Sequence, residues 1–189
     1  MDALTALFSR HSISPAFMKP PAPEGKDLER ILEAGAAAPD HGQLRPWRFL
    51  LIREEARARL GDLAAEALAE RQPEAPADLL EKERGKPLRA PLIIAVVARI
   101  EADHPKIPAV EQLLAAGAAV QNMLLAAHAQ GFAGKWVTGA NAYAPRIKAA
   151  LGLGPDDAIA GFVYLGTLDG KPPVVPHAEA GPLVEDWTG

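Results

Sequence analysis

Apolar positions recur along this chain at two spacings, and the change from one to the other marks out its elements. Ala3 to Phe8 places Leu4, Leu7 and Phe8 on one side of a short helix. Asp27 to Ala38 repeats Leu28, Ile31, Leu32 and Gly35 at helical spacing, and Pro39 stops it. Between them, Pro15, Pro20, Pro21 and Pro23 fit neither a helix interior nor a central strand, so residues 13–25 read as irregular. Trp47 to Arg53 reads as a strand. Glu54 to Arg71 is a charged, alanine-rich helix with Leu60, Leu63, Ala67 and Leu68 inward. Residues 72–90 hold three prolines and many charges, which suits an excursion with a short helix around 77–84 and a place for a lid.

Leu92 to Ala98 is apolar without interruption, the pattern of a strand buried on both faces. Pro108 opens the longest helix, which runs to about Gln130, with Gly131 as its C-terminal signal. Val110, Leu113, Leu114, Gly117, Val120, Leu124 and Ala127 form its main stripe, and alanine fills most of the other faces. A helix apolar almost all round is buried, in the core or against a second subunit. Ala133 to Gly139 is a further strand, Ala144 to Leu151 a short helix, and Ile159 to Thr167 the last strand. Lys171 to Gly189 carries four prolines and no helical period, and reads as an extended arm able to cross onto a partner chain. Strands alternating with helices imply α/β or α+β architecture. No internal repeat or domain boundary is visible, so residues 1–189 are expected to form one domain.

Composition narrows the function. A chain of 189 residues buries roughly two-thirds of its unfolded surface and needs no covalent staples. Cysteine is absent, which excludes disulfides, thiolate metal sites, iron–sulfur clusters and cysteine nucleophiles. A net charge of −4 gives no field that would draw the chain to nucleic acid or anionic lipid. Met1-Asp2-Ala3-Leu4 has neither a basic start nor a long apolar stretch behind it, and no uninterrupted apolar run reaches the length of a membrane span. A cytoplasmic protein without membrane or nucleic-acid partners is the expectation.

The usual nucleotide loops are missing: no G-x-G-x-x-G follows a strand and no G-x-x-x-x-G-K-[ST] exists. Gly152-Leu153-Gly154 follows a helix and reads as its terminal turn. No two of the five histidines lie three or four apart, so no metal site is expected. His128, beside the long helix's stripe, reads as a core or interface histidine. The three serines, Ser9, Ser12 and Ser14, crowd the first loop without a G-x-S-x-G elbow, and a hydrolase would need a triad set by geometry alone. Arg10-His11-Ser12 offers a forked, permanently charged donor and a hydroxyl suited to phosphate, although cations also sit well at a helix C-terminus. Asp40-His41-Gly42-Gln43 is good turn chemistry in its own right. The strand ending in Thr138-Gly139-Ala140 leaves small residues at its carboxyl end, where open α/β sheets bind ligands and where ordinary turns also occur.

Taken in order, a helix ending in R-x-S, then Ala38-Pro39 and Pro46-Trp47-x-Phe49, then a long apolar helix, then G-F-x-G-x-W-x-T-G from Gly131 to Gly139, resembles the FMN-dependent nitroreductase family. Met1-Asp2-Ala3-Leu4, Ala38-Pro39-Asp40-His41, Arg89-Ala90-Pro91-Leu92-Ile93-Ile94 and Tyr164-Leu165-Gly166-Thr167 are similar to its small bacterial branch, the minimal nitroreductases. The resemblance implies an α+β three-layer sandwich, a central mixed sheet flanked by helices, in an obligate homodimer with FMN at the subunit interface. It implies that Arg10 binds the FMN phosphate or ribityl chain beside Ser12 and the backbone of His11, with Lys171 as a further phosphate ligand. It implies that Pro39, Asp40, His41 and Gln43 reach the flavin from the partner subunit. It implies that Trp136, Val137, Thr138 and Gly139 line the isoalloxazine, with a backbone N–H near Thr138 or Gly139 approaching N5. NADPH or NADH would pass a hydride through flavin N5 to a nitroaromatic or quinone-like acceptor by a ping-pong mechanism, with no catalytic side chain and no metal. Two departures stand out. Ser14 occupies a place where many relatives carry a basic residue near flavin N1, leaving Arg10 or Arg45 to meet that charge. Ala37 stands where close relatives carry an arginine. The altered surroundings of flavin N1, together with the proline-rich segments, keep open a flavin-binding carrier or sensor without significant turnover.

Overall fold

The protein is described by a computed structural model covering residues 1–173 and 176–189. Its helices are α1 (Ala3–Ser9), α2 (Gly25–Ala36), α3 (Glu55–Arg71), α4 (Ala77–Arg84), α5 (Ala109–Ala129) and α6 (Pro145–Ala150). Its strands are β1 (Met18–Lys19), β2 (Trp47–Arg53), β3 (Leu92–Ala98), β4 (Phe132–Val137) and β5 (Ala158–Leu168).

Among the described residues the five strands form one sheet in which every pairing is antiparallel. The resemblance implied a mixed sheet; the α+β sandwich is there, but among the described residues no two neighbouring strands pair in parallel. The register explains why. Arg53 lies opposite Leu92, and Ala98 opposite Ala158. β2 and β3 thus form a hairpin with a long insertion, whereas α5 carries the chain from the Ala98 end across to Phe132 at the Thr167 end, so β3 and β4 run parallel but are kept apart by β5 between them. β5 is the hub. Leu165 pairs with Leu92 on one edge and Gly134 on the other, and Thr167 pairs with Lys19 and Phe132.

β3 is buried at every position, and its alternation divides the core. Leu92, Ile94 and Val96 face α2 and α5, packing with Ile31, Val120 and Met123. Ile93 and Ala95 face the other way, with Leu60 and Ala64 of α3, Ile147 of α6, Phe162 and Tyr164. Two helical layers thus sandwich the sheet, and an unbroken apolar run is what a doubly covered strand requires.

Several boundaries differ from the sequence expectation by one or two residues, and one short strand is added. Met18–Lys19 forms a short strand inside the proline-rich segment, at the end of β5, where two residues fit between prolines. α2 begins two residues early, after a turn in which Gly25 has φ +48°, and ends at Ala36. β4 starts at Phe132 and stops at Val137, so Thr138 and Gly139 lie beyond the strand.

The largest difference is the rotation of α5. Its inward face is Gln112, Ala115, Ala116, Ala119, Val120, Met123, Leu124 and Ala127, while Val110, Leu113 and Leu114 are exposed. A polar residue wins the inward position because the loop before the helix needs it. Gln112 Nε2 donates to the carbonyls of Ile107 and Glu101, and its Oε1 accepts from the Glu101 N–H. Buried backbone groups left unmet would cost more than an exposed leucine. α5 has the length and composition of a membrane span, but its buried face here packs on the sheet.

Candidate functional site

The site is built on β4, which pairs with β5 alone. Against its outer side lies the first loop, held by a hydrogen bond from Ile13 N–H to the Gly134 carbonyl at 3.0 Å. α1 is capped at its start by Asp2, which accepts from the Thr5 N–H, and it ends at Arg10, whose N–H donates to the Ala6 carbonyl. These two constraints fix Arg10 and His11 at the beginning of β4. They line a cleft of about 670 Å³ together with His128, Gly131, Phe132, Gly134 and Lys171. Lys171 arrives from the opposite direction, just past the end of β5.

Arg10 Nε is buried and has no hydrogen-bond partner among the described residues. A buried guanidinium donor without an acceptor is costly. A phosphate would supply that acceptor, and a second cation, Lys171, faces the same space. The expected residues Arg10, His11 and Lys171 thus converge on a site that fits a phosphorylated ligand. Ser12 is exposed and does not line the cleft. Ser14 caps the short turn Pro15–Phe17, with Oγ accepting from the Ala16 N–H at 3.5 Å. Its hydroxyl is thereby engaged, and no cation stands at that position.

His128 closes the cleft from α5. Ser9 Oγ lies 2.8 Å from His128 Nε2 and donates to the Thr5 carbonyl at 2.6 Å, so the ring nitrogen supplies the proton of the shared bond. Burial, then the positive charges of His11 and Arg10, hold the His128 pKa below the usual histidine value. A depressed histidine stabilises the fold above its unfolded pKa, near 6.5, and that contribution is lost as pH falls through the folded value. The ligand-free protein is therefore expected to lose denaturant resistance between pH 7.5 and 5.5, with a smaller loss in His128→Gln. Equal losses in both proteins would contradict the assignment.

From Gly134 to Val137, β4 extends about 10 Å. At its far end the strand presents two different surfaces. Trp136 faces α5: its Nε1–H donates to the Ala160 carbonyl at 3.0 Å and its ring fills the space over Gly117 and Gly161. A Cβ on Gly161 would stand 2.0 Å from that nitrogen. Val137 faces the α3 side and packs with the cluster around Phe162 and Ile147. The expected quartet is therefore divided. Trp136 and Val137 cannot line one ring face with their side chains, since successive residues of a strand point oppositely. Thr138 borders a cavity of about 190 Å³ on the Val137 side and a groove of about 340 Å³ on the Trp136 side. Gly139, at φ +63°, turns the chain there, where a side chain would be strained.

The loop with Pro39, Asp40, His41 and Gln43 is elsewhere. Asp40 Oδ2 accepts from the Arg45 N–H at 2.5 Å, and His41 Nδ1 lies 2.6 Å from Glu111 Oε2 at the start of α5. Gly42 sits over Ile107, where a Cβ would meet the side chain at 2.4 Å. Gln43 and Arg45 both adopt left-handed backbone, at φ +56° and +50°. The loop is well defined, yet within one chain it lines neither the Arg10 cleft nor the cavity at Thr138. Ala37 ends α2 with its N–H on the Glu33 carbonyl and is exposed.

Sequence reasoning missed the polar cluster of that 190 Å³ cavity: Arg71, Glu83, Lys86, Asn141 and Tyr164. Tyr164 has its pKa pushed up to about 12, by burial first and the charge of Glu83 second. The only sequence signal was a Glu–Lys pair three apart at 83 and 86, indistinguishable from the exposed charges around it. Among the described residues no group of three histidine or carboxylate side chains could hold a metal.

The Nitroreductase family model matches residues 7–167. The chain belongs to the nitroreductase family. Among its family relatives is YdjA of Escherichia coli K12, which carries the provisional name NAD(P)H nitroreductase. It is 44% identical over 167 residues, covering 88% of each chain. The crystal structure of a nitroreductase-like family protein from Bacillus cereus superimposes with a TM-score of 0.82 at 23% identity, covering 100% of this chain and 97% of that one, and shows the shared fold. A Desulfovibrio desulfuricans structure provisionally named nitroreductase, in complex with FMN, superimposes with a TM-score of 0.74 at 27% identity, covering 100% and 99%. The family's fold thus accounts for the three-layer arrangement.

Proposed function

We propose that this nitroreductase-family protein is a cytoplasmic, homodimeric FMN-dependent NAD(P)H oxidoreductase acting on nitroaromatic or quinone-like acceptors. The observation that carries the reading is the buried Arg10 Nε, without a partner among the described residues, beside a cleft that Lys171 also lines. The names of the Escherichia coli relative and the FMN complex of the Desulfovibrio protein support it.

Arg10 and Lys171 would hold the FMN phosphate by charge, beside the backbone of His11. Ser12, exposed in one chain, would contribute where the ligand or a second subunit covers it. Thr138 and Gly139, beyond the last paired residue of β4, would border the ring; Trp136 and Val137 brace the strand from its two faces. Held by these residues, FMN would supply two-electron hydride chemistry between NAD(P)H and the acceptor, the two taking the same place in turn in a ping-pong sequence. The protein need supply no nucleophile, and the chain has no cysteine to offer one.

Pro39, Asp40, His41 and Gln43 would complete the site of the partner subunit. The exposed apolar residues Leu113, Leu114, Trp136 and Tyr143 border one groove and suit burial against a second copy. Leu114→Glu is expected to give a monomer by sedimentation and to lose flavin with it; a dimeric, flavin-loaded variant would overturn this placement.

A flavin-binding carrier or sensor is the second reading, favoured by the engaged hydroxyl of Ser14 where a cation would otherwise stand. A visible spectrum recorded before and after anaerobic NADPH separates the two. A yellow protein that bleaches, then recovers with a nitroaromatic or quinone, is an enzyme of the proposed class. One that stays oxidised is a carrier or sensor.

A further inference from the structure

The excursion between β2 and β3, read from sequence as a lid, is docked. Gly61 of α3 lies under the Arg84 carbonyl of α4, where a Cβ would stand 2.2 Å from the oxygen. Arg84 Nε donates to Asp62 at 2.8 Å, and the Arg57 guanidinium donates to the Ala90 carbonyl at 2.7 Å. α4 thereby carries a carboxylate inward: Glu83 is 7% exposed. A buried carboxylate is tolerated only when its oxygens are met. Asn141 Nδ2 donates to Glu83 Oε1 at 2.7 Å, and Lys86 pairs with Oε2.

This contact settles the orientation of an amide. An ion-paired carboxylate only accepts, so the nitrogen of Asn141 must face Glu83 and Oδ1 must face away from it. Oδ1 is buried and accepts no hydrogen bond among the described residues. Thr138 and Tyr164, which border the same cavity, do not donate to it. The result is a fixed acceptor without a donor, in the turn that follows β4. We infer that Asn141, oriented by Glu83, is the acceptor that binds an amide or imide N–H of the redox ligand in this cavity. The inference rests on the FMN and NAD(P)H reading. Both molecules carry such a group, in the flavin's pyrimidine ring and in the nicotinamide carboxamide. Asn141 is a binding residue; Glu83 is a positioning residue that acts through it.

The test uses Asn141→Leu, which keeps the branched shape and removes both the acceptor and the donor to Glu83, and Glu83→Gln, which lets the amide turn over. Two constants are measured for each: the FMN dissociation constant, by fluorescence titration of the apo-protein, and the NADPH dissociation constant of the holoenzyme under conditions that block turnover. Loss of one neutral hydrogen bond predicts about a three- to tenfold weakening in Asn141→Leu. A shift in the FMN constant identifies the flavin imide as the donor, and a shift in the NADPH constant alone identifies the carboxamide. Glu83→Gln should weaken the same ligand, and the double variant should be no worse than Asn141→Leu. Both constants unchanged in Asn141→Leu would overturn the inference and assign the cavity to water. If that variant does not fold, unchanged constants in Glu83→Gln do the same. A wild-type protein that takes up no FMN is a different result: it overturns the reading of function itself.

Discussion

Replacing Arg10 with alanine is expected to weaken FMN binding by about ten- to a hundredfold and to leave the fold intact. The range follows from the loss of a charged hydrogen bond, worth about 1.5–3 kcal/mol. The fold should survive because Arg10 ends a short helix and leaves its Nε unpaired in the ligand-free protein. Removing an unmet donor relieves a desolvation cost, so the apo-protein should melt at the same temperature or slightly higher. Riboflavin, which lacks the phosphate, should bind the variant and the wild type about equally. Wild-type affinity for FMN in Arg10→Ala would place the phosphate elsewhere in the cleft.

The second large effect is expected at Gly61. Glycine to alanine inside a helix ordinarily stabilises, by about 1 kcal/mol. Here the new methyl would meet the backbone oxygen of Arg84 at 2.2 Å, and a carbonyl fixed in a helix end cannot swing aside as a side chain can. Overpacking of this kind costs about 1–3 kcal/mol, which outweighs the propensity gain. Gly61→Ala should therefore lower the urea midpoint. The local consequence separates this from generic destabilisation. α4 must lift from α3, and Glu83 moves with it, so hydrogen exchange should rise in 77–84 and in 138–142 before it rises in β3. A midpoint equal to that of the wild type would show that α4 shifts at no cost and that its docking is loose.

How far the sequence could be read depended on which physical rule was at stake. β3 was legible because an apolar run of its length has few other places to be, and the structure buries every residue of it. The convergence of Arg10 and Lys171 was legible only through the resemblance, since nothing in composition brings residues so far apart to one end of a strand. The rotation of α5 was not legible. When alanine covers most faces, periodicity fixes the presence of a helix but not its azimuth, and the deciding group was one glutamine serving a neighbouring loop. The opposite facing of Trp136 and Val137 could have been read, because strand alternation alone requires it, whereas the family pattern names both residues without giving their faces. Glu83 was hidden because burial of a charge depends on a tertiary partner, Asn141, that lies in another part of the chain.

The place of β5 as hub bears on how this protein is made. Of the four strand pairings, three require residues 158–168, which emerge late from the ribosome. Only the β2–β3 ladder can form before them. During synthesis β4 must wait with its pairing edges open, beside a helix whose apolar residues have not yet met the finished sheet, and exposed edges and apolar surface are what invite association. The growing chain is thus most open to association in the interval before residues 158–168 appear and close three of the four ladders.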